Sequence, residues 1–138
     1  MNAFLQTALL GAATGQVCIA CLNFTLIRIL GWKEELTRVP LLMREVFHVH
    51  VWFISITLLI FALLTWRFSG EMAAGSQPVY RWLACAIGGF WAIRAVLQVA
   101  YYSSSHWRGN AARTVVHVVL LIVYWGFAAA YLTAGLQR

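Results

Sequence analysis

The sequence predicts an all-α fold, an integral membrane antiparallel four-helix bundle with four transmembrane helices. Three observations predict it. The chain of 138 residues is 62% hydrophobic and only 10% charged. Its apolar residues fall into four long stretches separated by short polar ones, and its only two prolines, Pro40 and Pro78, stand where the second and third stretches begin. A soluble domain of this size must keep a polar shell, and too few polar residues are present to make one. The mean hydropathy of +0.78 says the same.

A crossing of the hydrocarbon core, roughly 30 Å thick, takes about 20 mostly apolar residues. The four stretches that qualify cover about residues 3–30, 40–68, 78–103 and 110–136. In lipid each must be helical, because every backbone N–H and C=O needs a partner inside its own segment. Pro40 and Pro78 suit the first helical position, which tolerates a missing N–H. Gly109 and Asn110 supply a break and a cap before the fourth helix. Gly70 and Gly75 are expected to flank the second connection. Short connections make sequential helices antiparallel neighbours, so one up-down-up-down domain is expected. The first connection, residues 32–38, is charged and amphipathic and suits the membrane interface. No basic stretch and small-residue cleavage site opens the chain, so the first span is expected to be retained.

The formal net charge of +6 is spread over helix ends and connections. It forms no basic stripe or arm, which argues against nucleic acid and for lipid headgroups. Arg28, Lys33, Arg38, Arg44, Arg108 and Arg113 flank connections 1 and 3, against Arg67, Arg81 and Arg138 on the other side. The positive-inside bias then puts connections 1 and 3 in the cytoplasm and both termini outside. Cys18, Cys21 and Cys85 all fall inside spans. The first two have redox-pair spacing but lie among apolar residues, far from any helix N-terminus, and read as small packing residues. Gly11 and Gly15 form a small-xxx-small patch suited to close packing, within the chain or between copies. Trp32, Trp66, Trp82 and Trp107 fall at span ends, where indole prefers the interface.

All four histidines map to the side of connections 1 and 3. His48 and His50 open the second helix, His106 lies in connection 3, and His117 is one to two turns into the fourth helix. At 1.5 Å per residue, His48 and His117 reach similar depths, roughly 3–8 Å inside the hydrocarbon boundary. Arg94, Gln98, Tyr101 and Tyr102 approach the same side along the third helix. Glu45, His48, Trp52 and Ser55 form a stripe on the second helix, Arg113, His117, Tyr124 and Tyr131 one on the fourth, and Asn23 and Arg28 end the first. Arg94 is the most informative. A guanidinium keeps its proton, and at depth it costs at least ~2.5 kcal/mol on insertion scales. It should face the bundle beside an anion or strong acceptors, with Glu45 the one acid placed to approach; the alternative is that it snorkels to the interface.

Two imidazoles at matched depth on different helices suit the axial positions of haem b. The site expected for it comprises His117 with His48 or His50, which lie about 200° apart and cannot both face one centre. Arg94 or Arg113 would pair with the propionates. Gly88, Gly89 and Gly126 would allow close approach of the ring, and Gln98, Tyr101 and Tyr102 would line an adjoining anion or quinone site. In architecture alone, four spans with paired histidines resemble the small membrane cytochromes b. A zinc or iron site using Glu45, His48, His117 and His106 is the second expectation, since Glu45 and His48 have the one-turn spacing of bundle metal sites. The competing reading has no cofactor: the histidines hydrogen-bond helices together, and the chain is an accessory subunit associating with other membrane subunits or with copies of itself. A transporter or channel for protons, metal ions or small anions is a third class. There is no Gly-rich phosphate loop and no zinc-protease motif. Residues 103–106 place serines beside a histidine, but the chain has no Asp to orient a base, so they read as a capping segment.

Overall fold

The computed structural model describes residues 2–29, 37–101 and 111–137, with side chains 26–29, 112 and 113 left out. Four helices follow in order: α1 (Asn2–Ile29), α2 (Leu41–Ala74), α3 (Pro78–Ala100) and α4 (Ala111–Gly135). Each contains a span long and apolar enough to cross a membrane, and no strand occurs among the described residues. The chain is therefore an integral membrane protein of the all-α class. It divides into two compact units, one of Met1–Ala12 with Phe68–Arg138 and one of Ala13–Arg67.

The buried set mixes large apolar side chains such as Leu9, Leu58, Met72 and Ile87 with small and polar ones. Among the most buried residues are Ala12, Ala13, Ala20, Ala62, Ala84 and Ala95, together with Gln16, Ser55, Thr65 and Gln98. The exposed surface carries Val49, Phe53, Ile56, Ile60 and Leu63 on α2, and Val115 and Ile122 on α4. Lipid tails solvate large apolar side chains as well as a neighbouring helix does. Helix contacts in a bilayer therefore favour small residues that let backbones approach and polar ones that bond across. Gly11, half of the expected small-residue patch, faces open space, and close packing falls to its alanine neighbours.

The helix starts follow the prolines. The Pro40 carbonyl accepts the Arg44 N–H at 3.2 Å, and Pro78 enters α3 behind an extended Gln77. The end of α2 departs from expectation. The sequence ends the second span near residue 68, with Gly70 and Gly75 flanking the connection, yet the helix continues to Ala74 beyond a kink at Phe68, where φ is −120° and ψ 15°. Packing overrides local propensity here: Ser69, Met72 and Ala73 are buried, and the Phe68 ring lies 5.3 Å from Tyr80. The true stop is Gly75, whose φ of +59° is left-handed and whose N–H bonds the Met72 carbonyl. A Cβ at Gly75 would meet only ordinary contacts, so Gly75→Ala carries the backbone cost alone. A loss of about 1 kcal/mol is expected, read as a lower midpoint of detergent-driven unfolding.

Within the second unit α1 and α2 run antiparallel, as Asn23 bonds Ser55 at 3.4 Å and Phe24 packs on Trp52 at 4.8 Å. Within the first unit α3 and α4 form the tightest pairing. Cys85 faces Gly135, Gly88 faces Leu132, Trp91 faces Phe127, and Gln98 faces His117. Numbers rise on one helix as they fall on the other, so this pair is antiparallel too. Arg81 Nε donates to the Gly135 carbonyl at 3.3 Å, placing a cation on the unpaired carbonyls that end α4.

Candidate cofactor and ligand site

The α3–α4 hairpin brings together four of the residues singled out in the sequence, Arg94, Gln98, His117 and Tyr124. Trp91, Arg94 and Gln98 recur at i, i+3 and i+7, which confines them to about 60° of the α3 circumference. That arc faces α4. Trp91 stacks on Tyr124 with ring centroids 5.2 Å apart and meets Phe127 edge-on at 4.9 Å. The Arg94 guanidinium lies 4.9 Å from the Tyr124 ring, a cation–π contact. Gln98, 3% exposed, places its amide nitrogen 2.9 Å from His117 Nδ1.

The Gln98–His117 bond has two chemical forms. An amide nitrogen that donates to Nδ1 puts the imidazole proton on Nε2. Turning the amide by 180° lets its oxygen accept from Nδ1–H and puts the lone pair on Nε2. Histidines that ligate metals are oriented in the second way, through a bond from the other ring nitrogen. Either way, the far end of the amide has no hydrogen-bond partner among the described residues, and neither does the Trp91 indole N–H, although Trp91 is 2% exposed. Each such buried orphan costs about 1–3 kcal/mol. Arg94 also lacks a counter-charge within its unit. The one acid there, Glu71, follows the kink of α2 and leads into the opposite end of α3.

The expected residues of α2 lie in the other unit and on the surface. Glu45, His48 and His50 are exposed. His48 Nδ1 lies 2.7 Å from the Arg44 carbonyl oxygen. A carbonyl only accepts, so Nδ1 carries the proton and the neutral ring keeps its lone pair on Nε2. This separates His48 from His50, for which no such orienting bond is seen. Tyr101 forms the C-cap of α3 and is 83% exposed. Tyr102, His106 and the side chains of Arg28 and Arg113 lie outside the described residues. Among the described residues, no group of three or more His, Cys, Asp or Glu side chains is gathered to hold a metal ion. Of the glycines expected to admit a flat ring, Gly88 is filled, since a Cβ there would meet Leu132 at 2.8 Å, whereas Gly89 and Gly126 open on clear space.

Trp91 is the one member of the arc that sequence reading overlooks. The clue lies in its position: it stands mid-span, unlike the tryptophans at span ends, and one turn before an intramembrane arginine. Gln16 and Thr65, both fully buried on α1 and α2, are also more prominent in the structure than in the sequence. Comparison with protein-family models, curated proteins and solved structures finds no match to this chain.

Proposed function

We propose that the chain is a small redox-associated membrane subunit in which His117 would help hold one haem b that supplies the electron chemistry. The observation that carries this reading is the Gln98–His117 bond at 2.9 Å. With the amide turned so that its oxygen accepts from Nδ1–H, this bond would orient the ring through Nδ1, as iron-ligating imidazoles are oriented, and put the lone pair on Nε2. In the other unit, the His48 ring is oriented by the Arg44 carbonyl in a comparable way. Arg94, one turn before Gln98 on α3, would supply a cation for a propionate. The protein contributes ligation, orientation and electrostatics, while the iron supplies the electron chemistry. In this reading connections 1 and 3 face the cytoplasm.

The absorption spectrum of the purified protein tests it directly. A Soret band that shifts and sharpens on dithionite reduction, with a distinct α-band, is expected at one haem per chain. A colourless preparation with no metal by elemental analysis sinks the proposal. It would favour the accessory-subunit reading, which has its own support: Glu45 and His50 are exposed on a face of α2 otherwise made of Val46, Val49 and Phe53. A partner helix would cover such a face and bond its two polar groups.

A further inference from the structure

We propose that Trp91, Arg94 and Gln98 bind the carbonyl headgroup of a quinone-type lipid in the seam between α3 and α4. This goes beyond the haem assignment and does not depend on it. A bilayer-buried donor without an acceptor is a standing cost, and this arc holds two polar side chains that are at least nine-tenths buried with an atom left unbonded, the Trp91 indole N–H and the far end of the Gln98 amide. Arg94, between them in sequence, adds N–H donors and has no carboxylate nearby in its unit. The Trp91 N–H is a donor without an acceptor, and the unbonded Gln98 atom is its oxygen, which an NH2 replaces when the amide turns toward His117. Trp91 and Arg94 together call for a guest with oxygen acceptors.

The chemistry narrows that guest. Two of the three groups are neutral and buried, which suits a carbonyl oxygen better than a fully charged phosphate, whose desolvation neutral donors offset poorly. The wall beside them is aromatic, with Trp91 stacked on Tyr124 and edge-on to Phe127, and planar rings stack on such walls. Only Arg94 is partly exposed, so the headgroup enters there, displaces the guanidinium from the Tyr124 ring and leaves its tail in the lipid. When Gln98 turns its oxygen to His117, its NH2 becomes a third donor for the same carbonyl compound. With the opposite orientation Trp91 and Arg94 still serve.

Calorimetric titration with a decyl-substituted 1,4-benzoquinone tests the assignment, using the full chain in phosphatidylcholine nanodiscs. Saturable binding at one site per chain is expected. Trp91→Phe keeps a ring against Tyr124 and Phe127 but removes the N–H, and should weaken binding about tenfold while leaving the ligand-free protein as stable as before or more so. Gln98→Leu should weaken binding as well, and serves if the first variant misfolds. Wild-type protein that shows no saturable binding overturns the proposal, as do both variants binding like wild type. Binding that disappears in phosphatidylglycerol nanodiscs also overturns it, because the site is then one for lipid phosphate. Heat is read rather than colour, and His117→Ala is titrated in parallel. A colourless protein that binds the quinone refutes only the haem assignment, and a haem-bearing one that does not bind it refutes only this one.

Discussion

Replacing Gly135 by alanine is expected to be among the most damaging single substitutions in the chain. A Cβ at that position would collide with Cys85 Sγ and stand 2.8 Å from the Cys85 backbone nitrogen and 2.9 Å from the Arg81 carbonyl. A side chain that clashes with a flexible tip can turn it aside, but two of these contacts are with backbone. The only relief is to move α4 away from α3. That motion would stretch the Arg81–Gly135 cap, already 3.3 Å long, and loosen Leu132 from Gly88. Overpacking of this kind costs about 1–3 kcal/mol, and the lost cap adds to it. The loss should appear as a lower midpoint of unfolding in mixed detergent micelles. Gly126→Ala is the control: nothing lies within 4 Å of its would-be Cβ, so stability should hold or improve slightly, as glycine is a poor helix former. Equal effects at the two positions would mean that the α3–α4 contact is not what holds this hairpin together.

The contrast between these glycines shows where sequence reading stops. Four spans, their order and their starts are legible because hydropathy and proline act locally, and lipid leaves the backbone no alternative to helix. Which face of a helix meets which neighbour is a different matter. In a soluble helix the apolar stripe marks the core. Here α2 is apolar nearly all round, with Phe53 and Ile60 outside and Ala62 and Leu58 inside. Gly88, Gly126 and Gly135 look alike in the sequence, yet one receives Leu132, one faces open space and one lies under Cys85. The end of α2 fails for a related reason, since a glycine such as Gly70 ends a helix only where packing does not carry it through. The polar cluster is half legible. Arg94 and Gln98 stand out by the cost of placing them in lipid, and His117 by its depth. Trp91 hides because tryptophan in a membrane protein usually signals the interface, the place the sequence suggests for Trp66 and Trp82.

His117→Ala should abolish haem binding, with the reduced α-band and the Soret shift both absent, because no other side chain among the described residues of its unit offers an imidazole. Gln98→Leu should be milder in a specific way. It leaves the ligand in place but removes the bond that orients it, a loss worth about 10–100-fold in metal-site affinity. Partial haem content that rises with added haemin is therefore expected. Exogenous imidazole should restore colour to His117→Ala by filling the space the side chain leaves, and should do nothing for Gln98→Leu. The competing idea, that Gln98 and His117 only tie α3 to α4, predicts a different pattern. Each single variant would then strand a buried polar group and lose about 1–3 kcal/mol, while a Gln98→Leu, His117→Leu double variant would recover most of it, since removing both partners of a buried bond is nearly neutral. Thermodynamic recovery in the double variant with no change in any visible band would leave His117 as a fastener between helices, and full haem occupancy in His117→Ala would move the iron elsewhere. Loss of colour that imidazole restores in His117→Ala and that added haemin restores in Gln98→Leu, with the hairpin still folded, is the outcome that only ligation produces.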